Sequence, residues 1–193
     1  MKTFQTISLF MLINLAIFAQ DKYNAETTKS KLEWLAEKIT GYHQGTINLK
    51  SGEIELKDKT IIDAEFIIDM NSIQCTDLTD EEYNKKIIGH LKSDDFFGVD
   101  KFQTATIKLI KPVSFEKGYA LINADLTIKG ITKPIEFKAV IQKLENEVKI
   151  NANIIIDRTM FDIKYGSGSF FDNLGDKTIY DEFKVKVNII LAK

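Results

Sequence analysis

A two-residue alternation of apolar and polar side chains constrains the fold of this sequence more than any other feature. In the stretch INADLTIK (122–129) every second residue is apolar, and the residues between are Asn, Asp, Thr and Lys. The same period recurs in residues 64–70, 105–109, 135–141, 148–156 and 183–191. Successive side chains of a β-strand point to opposite faces, so the pattern predicts half-buried strands.

Short connections between these segments predict antiparallel pairing. EKGY (116–119), KGITKP (129–134) and ENE (145–147) each have the length and residues of a tight turn. Two earlier segments, SKLEWLAEKI and GTINLKSGEIEL, bring the total to about eight strands. The first also has the composition of a short helix, but the alternation of Leu32, Trp34 and Ala36 favours a strand.

The strands are expected to close into a barrel or a sandwich, because an open sheet would leave long unpaired edges. Alanines recur on the apolar faces, at positions 64, 105, 120, 124, 139 and 152. An eight-stranded barrel can hold one small ligand, and repeated small inward residues fit an elongated internal cavity. The predicted fold class is therefore all-β, with one or two short helices in long loops.

Two long connections interrupt the alternation, from Asn71 to about Gln103 and from Asp157 to about Tyr180. The first contains LTDEEYNKKIIGHLKS, whose acids precede its lysines as a helix dipole favours. Each connection places two adjacent phenylalanines beside an aspartate. Loops of this length in a compact domain are often functional.

The N-terminus indicates export. Lys2 precedes an apolar run from about Ile7 to Ala19 that is too short to span a bilayer comfortably. Residues 1–19 are therefore predicted to be a signal peptide, with residues 20–193 forming one domain in the periplasm or the medium. A buried N-terminal helix is the alternative. Cys75 is the only cysteine, so no internal disulfide can form.

The segments GHLKSDDFFGVDKFQTATI, ADLTIKGITKPIEF and DRTMFDIKYG together resemble the YceI-like family of lipid- and polyisoprenoid-binding proteins. The similarity runs from about Lys31 to Leu191. The resemblance implies a lipocalin-like antiparallel barrel of eight strands that holds an isoprenoid or another long-chain lipid. It also implies secretion to the periplasm and, often, the formation of a dimer. The sequence departs from the family at Ile87 and Ile88, where many members carry Arg-Asp, and at Gln103, where many carry Pro.

On this reading the inward residues line a lipid site, and aromatic residues of the two connections plug or line its mouth while Asp94 and Asp95 remain hydrated. The alternative is that these aromatics only seal the core under long loops. The predicted lipid-binding residues are Trp34, Phe66, Ile68, Met70, Phe96, Phe97, Phe102, Ile107, Leu109, Ile122, Ala124, Leu126, Phe137, Ile150, Ala152, Ile154, Phe161, Tyr165, Phe170 and Phe171.

No catalytic constellation is evident from the sequence. His43 and His90 have no cysteine or carboxylate at the spacing of a known metal site, and Cys75 is expected to be a buried or idle thiol. The net charge of −2 and the single arginine, Arg158, argue against nucleic-acid binding.

The predicted function is non-catalytic binding of a long apolar lipid, without a cofactor or a metal. Contact with a membrane and a homodimer stay open as further partners. A structural or partner-binding barrel with a filled core is the alternative.

Overall fold

A computed structural model describes residues 20–193, so the predicted signal peptide lies outside the described residues. The strands are β1 (Asp21–Ala25), β2 (Lys31–Lys38), β3 (Gly41–Lys57), β4 (Thr60–Cys75), β5 (Thr104–Leu109), β6 (Val113–Ser114), β7 (Tyr119–Ile128), β8 (Ile131–Lys143), β9 (Glu147–Asp157) and β10 (Ile179–Ala192). Helix α1 spans Glu81–Lys92, and short 3₁₀ turns span Arg158–Phe161 and Gly175–Lys177.

Eight of these strands form a closed antiparallel barrel. Apart from the short β6, each strand from β2 to β9 pairs with the next along the chain, and β10 closes the ring on β2. The predicted eight-stranded barrel with a helix in a long connection is therefore confirmed. The short strands β1 and β6 were not predicted. Beyond Lys31, the first residue of β2, strand β1 lies between β3 and β10 and pairs with both.

The segment KLEWLAEK is a strand, as its alternation predicts. It pairs with β3 on one side and with β10 on the other. The first long connection is shorter than predicted, because β4 continues to Cys75. The irregular register between β3 and β4 explains why the predicted strand ended too early. The pairing of β3 with β4 shifts between Thr46 and Asn48, and again between Leu49 and Ser51. Such bulges change which residues point inward and so conceal the alternation.

Helix α1 lies at the end of the barrel where β4 finishes, called the helix end below. Asp80 caps the helix by accepting hydrogen bonds from the backbone N–H groups of Glu82 and Tyr83, both at 3.0 Å. On its inner face, Ile87, Ile88 and Leu91 pack against a small cluster of Trp34, Ile73 and Cys75. No helix in residues 20–193 is long and apolar enough to cross a membrane.

The opposite end of the barrel, called the sealed end, is filled by its own side chains. Tyr23 of β1, Leu56 of β3 and Leu191 of β10 are almost completely buried there, together with Phe115 and Val148. Lys143 and Lys193 pair with Asp21 at 3.4 and 2.9 Å around this end. Strand β1 thus carries a large aromatic side chain into the sealed end of the barrel.

Candidate lipid cavity

The burial of inward-facing side chains changes along the barrel. On β8, Ile135 and Phe137 are only half buried, whereas Ala139 and Ile141 further along are buried. On β10, the inward residues from Ile179 to Val185 are half buried, and those from Val187 to Leu191 are buried. Inward apolar residues keep accessible surface where they face a space instead of a neighbour. The interior of the barrel is therefore more open towards the helix end than towards the sealed end.

The hollow consists of two cavities. The larger, about 190 Å³, is lined by all eight barrel strands and by Leu91, Phe96 and Phe97 of the first long connection. The smaller, about 50 Å³, lies towards the sealed end. Phe66, Ile107, Phe137 and Ile150 line both cavities. These four residues lie between the two spaces and form what we call the waist.

The structure places most of the predicted lipid-binding residues on the cavity walls. Those that line the larger cavity are Trp34, Phe66, Ile68, Met70, Phe96, Phe97, Ile107, Leu126, Phe137, Ile150, Ala152 and Ile154. Leu109, Ile122 and Ala124 line only the smaller cavity.

The remaining predicted residues line neither of these two cavities. Phe161 is completely buried in the 3₁₀ turn. Phe102 packs beside Gly98 and Gly130. Phe170 and Phe171 are 50% and 51% exposed, because the long second connection turns them outward. Tyr165 packs against the ring of His90 in an edge-to-face arrangement, with 4.5 Å between centroids.

Several lining residues were missed by the sequence analysis. Ile47, Leu49 and Ile73 belong to strand segments whose alternation the bulges interrupt. Ile163 and Arg158 belong to the second long connection, where no strand period exists to indicate an inward position. The alternation of β10 did indicate Phe183 and Val185 as inward residues, and both line the larger cavity.

Among residues 20–193, Arg158 is the one charged residue on the wall of the larger cavity. Its guanidinium donates to the carbonyl oxygens of Ile163, Ile179 and Tyr180 at 2.8, 3.0 and 3.1 Å. It also lies 3.6 Å from an Asp181 carboxylate oxygen. Burial lowers the pKa of Arg158, an effect that the charge of Asp181 opposes. Arg158 therefore fastens the second connection to β10 and is not free as an anion clamp.

In the DDFF segment (94–97) of the first connection, the two aspartates face water and the two phenylalanines face the cavity. Asp94 and Asp95 are exposed, whereas Phe96 is buried and both phenylalanines line the larger cavity. Asp94 pairs with Lys101 at 2.7 Å, and this contact lowers the pKa of the Asp94 carboxyl. A chain of backbone hydrogen bonds from Ser93 to Phe102 holds the segment in turns. The two phenylalanines thus form part of the cover at the helix end.

A closed up-and-down antiparallel barrel around an apolar cavity places this chain in the lipocalin-like class of barrels. The chain belongs to the YceI-like family, because the model of the YceI-like domain matches residues 23–191. The resemblance noted in the sequence is confirmed by this match.

Two proteins from Vibrio species are similar to this chain in sequence. A UPF0312 protein of Vibrio parahaemolyticus is 33% identical over 98 residues, which cover 50% of this chain and 48% of the relative. The chain thus spans about half the length of that relative. A UPF0312 protein of Vibrio cholerae is 26% identical over 142 residues, which cover 72% of each chain.

Solved structures share the fold. BcnA of Burkholderia cenocepacia superposes with a TM-score of 0.66 at 19% identity, covering 86% of this chain and 98% of BcnA. A polyisoprenoid binding domain from Saccharophagus degradans gives a TM-score of 0.62 at 16% identity, covering 88% of this chain and 97% of that domain. At these identities the likeness concerns the fold.

Proposed function

We propose that this protein binds a long-chain, isoprenoid-like lipid in the larger cavity and performs no chemistry on it. The observation that carries the proposal is the apolar space at the helix end, where several inward side chains of β8 and β10 stay half buried because they face the cavity. Among the described residues that line it, only Arg158 and Tyr180 carry titratable groups. The description of the Saccharophagus degradans domain as polyisoprenoid binding supports the same class of ligand.

The apolar contact is strong enough to hold such a ligand without a polar anchor. Burial of about ten methylene equivalents contributes about 8 kcal/mol before costs. Ordering of a flexible chain removes several kcal/mol of this. Three of the five N–H donors of Arg158 are engaged by backbone carbonyls, so we expect the hydrocarbon chain to dominate the binding free energy.

Mass spectrometry of an organic extract tests the proposal. Protein purified without detergent is expected to release a long-chain lipid in a near-stoichiometric amount. Ala152→Phe places a ring in the larger cavity and is expected to abolish the bound lipid. Asn153→Phe adds the same ring to the outer face of β9, next to Ala152, and is expected to retain the lipid. A clean extract together with no uptake of added isoprenoids would favour the alternative, a structural or partner-binding barrel.

We also propose that the lipid is exchanged at a membrane surface through residues 162–178. This segment adjoins the helix end through the contact of Tyr165 with His90, and it exposes Phe170 and Phe171. Exposed aromatic side chains favour the interface of a bilayer. Replacing both phenylalanines by Ser is expected to reduce cosedimentation with phospholipid vesicles. Tyr119→Ser, which removes an exposed aromatic residue from the sealed end, is expected to leave it unchanged.

Export and assembly are proposed on the sequence and the family. We propose that residues 1–19 direct the chain to the periplasm and are removed, so N-terminal sequencing of the exported protein is expected to begin at Gln20.

A homodimer is expected from the family resemblance. Sedimentation equilibrium is expected to give twice the mass of one chain, and a single-chain mass at high protein concentration would contradict it.

A further inference from the structure

We propose that His43, Cys75 and Asp77 form a binding site for a divalent metal ion of the zinc type, separate from the lipid cavity. The ligand atoms of the three residues lie within 4.8 Å of one another. None of the three lines either cavity. The site lies at the rim of the helix end, where the start of β3 meets the end of β4.

The distances between the ligand atoms lie within about half an ångström to one ångström of those in a tetrahedral zinc site. His43 Nδ1 lies 2.9 Å from one oxygen of Asp77, and Cys75 Sγ lies 3.1 Å from the other. Around a zinc ion with bonds of about 2.0–2.3 Å, ligand atoms are roughly 3.3–3.8 Å apart. A small outward movement of these side chains therefore admits the ion.

The backbone holds the three residues in place. Gln44 N donates to an Asp77 carboxylate oxygen at 2.9 Å, and Thr76 N donates to the Gln44 carbonyl at 2.9 Å. From α1, Asn84 donates to the Cys75 carbonyl at 2.9 Å. Strands β3 and β4 and the helix thus all contribute to the position of the ligands, as a preformed site requires.

One side of the site is apolar and the other faces water. Cys75 packs with Trp34 and Ile73, whereas the side chains of His43 and Asp77 remain 27% and 15% exposed. Thiolate, imidazole and carboxylate together are a donor set that zinc and cobalt accept. The exposed side leaves room for a water molecule as the fourth ligand.

The thiol must lose its proton when the metal binds. A free cysteine is protonated at neutral pH but binds a metal ion as the thiolate, so a bound cation displaces about one proton from Cys75. A merely structural cluster of hydrogen bonds between β3 and β4 would show no such release.

Cobalt provides the test, because a thiolate bound to Co²⁺ gives a near-ultraviolet charge-transfer band. Untagged protein, kept reduced with a phosphine, is titrated with Co²⁺. One equivalent is expected to produce the band and visible absorption of tetrahedral Co²⁺, and one equivalent of Zn²⁺ is expected to remove both. Proton release into a weakly buffered solution, followed with an indicator dye, is expected to be about one per ion.

Variants assign the ligands. Cys75→Ser can still donate to Asp77, so the fold is kept, but the band is lost and Co²⁺ affinity falls by roughly a hundredfold or more. His43→Gln is expected to weaken binding similarly. The matched control is His90→Asn, because His90 also lies beside a carboxylate, Asp95 at 3.5 Å, but has no thiol nearby; it is expected to bind as the parent does. Absence of the band at a hundredfold excess of Co²⁺, or equal affinity in Cys75→Ser, would overturn the proposal.

Discussion

At the residue scale, the absence of a side chain at Gly45 allows β3 to pack closely against β4 and the Trp34 indole. A Cβ atom at Gly45 would lie 1.7 Å from the carbonyl oxygen of Gln74 and 2.7 Å from the Trp34 ring. That same carbonyl accepts a hydrogen bond from Trp34 Nε1 at 3.1 Å. Trp34 lines the larger cavity. Gly45 therefore fixes the position of one part of the cavity wall.

Gly45→Ala is expected to destabilise the protein by about 3 kcal/mol, because the backbone of β4 must move away. Urea denaturation measures the change in the free energy of unfolding. Gly89→Ala is the control on the exposed surface of α1, where a Cβ meets nothing within 4 Å. That change is expected to stabilise the protein by about 0.5–1 kcal/mol. Equal effects of the two substitutions would contradict this account of Gly45.

Asp181 is a second residue whose environment has a measurable consequence. Burial alone would raise its pKa, but hydrogen bonds from Ser167 and Ser169 and the charge of Arg158 lower it overall. A carboxyl with a lowered pKa in the folded state stabilises the fold above its unfolded pKa, near 3.8. That contribution is lost as the pH falls through the folded value.

Asp181→Asn is therefore expected to cost about 1–2 kcal/mol at pH 7 and to flatten the fall in stability below about pH 4. Urea denaturation at pH values from 2 to 7 measures both effects. Asp94→Asn is the control, because that carboxylate also has a lowered pKa but is 68% exposed, where an ion pair contributes little. A pH profile of Asp181→Asn that parallels the parent would contradict the role of Asp181.

At the scale of elements, helix α1 is attached to the barrel by a narrow apolar strip. The helix has no fully buried residue, and its apolar contact is made by Ile87, Ile88 and Leu91. Apolar packing by the two isoleucines therefore helps to attach the helix over the cavity. An element held by few contacts opens more easily than the barrel beneath it.

Replacing both Ile87 and Ile88 by Ser is expected to loosen α1 without unfolding the barrel. The loss of roughly 2–3 kcal/mol of packing is expected to speed lipid release to acceptor vesicles about tenfold or more. Hydrogen exchange is expected to accelerate in residues 81–92 and to stay slow in β7 to β10. Lys85→Ser with Lys86→Ser changes exposed neighbours on the same helix as a control. Unchanged exchange in α1 would refute the proposed attachment.

The elements differ in how far the sequence predicted them. Strands β7 to β10 alternate without interruption, so their inward residues were identified correctly. In β3 and β4 the register shifts near Leu49 and Ser51 hide the pattern, because a bulge is set by the pairing of two distant segments. The cluster of His43, Cys75 and Asp77 could not be foreseen, because the pairing of β3 with β4 brings together residues 34 apart in the chain.

At the scale of the whole molecule, the waist determines how much hydrocarbon the barrel can enclose. Phe66, Ile107, Phe137 and Ile150 separate the larger cavity from the smaller one. Alanines at positions 64, 124 and 139 widen the barrel beyond the waist. Tyr23 and its neighbours then close the sealed end. If the proposed lipid enters at the helix end, its chain is expected to stop at the waist, with further apolar space behind it.

Phe137→Ala is expected to join the two cavities and to lengthen the lipid chain that the protein accepts. The lost ring destabilises the empty protein by roughly 3 kcal/mol, whereas each additional isoprene unit that enters buries about five carbons and contributes up to roughly 4 kcal/mol before ordering costs. Competition titrations with isoprenoid alcohols of increasing length measure this. Affinity for the parent is expected to level off once the chain reaches the waist, and affinity for the variant at a greater length.

Phe102→Ala removes the same ring from a residue that lines neither cavity and is expected to keep the parental length limit. This control separates a change in cavity length from a general loosening of the barrel, which would alter the affinity for all chain lengths alike. A variant at Phe137 that levels off at the parental length would show that the waist does not limit the ligand. The limit would then lie at the helix end, where α1 and the DDFF segment restrict entry.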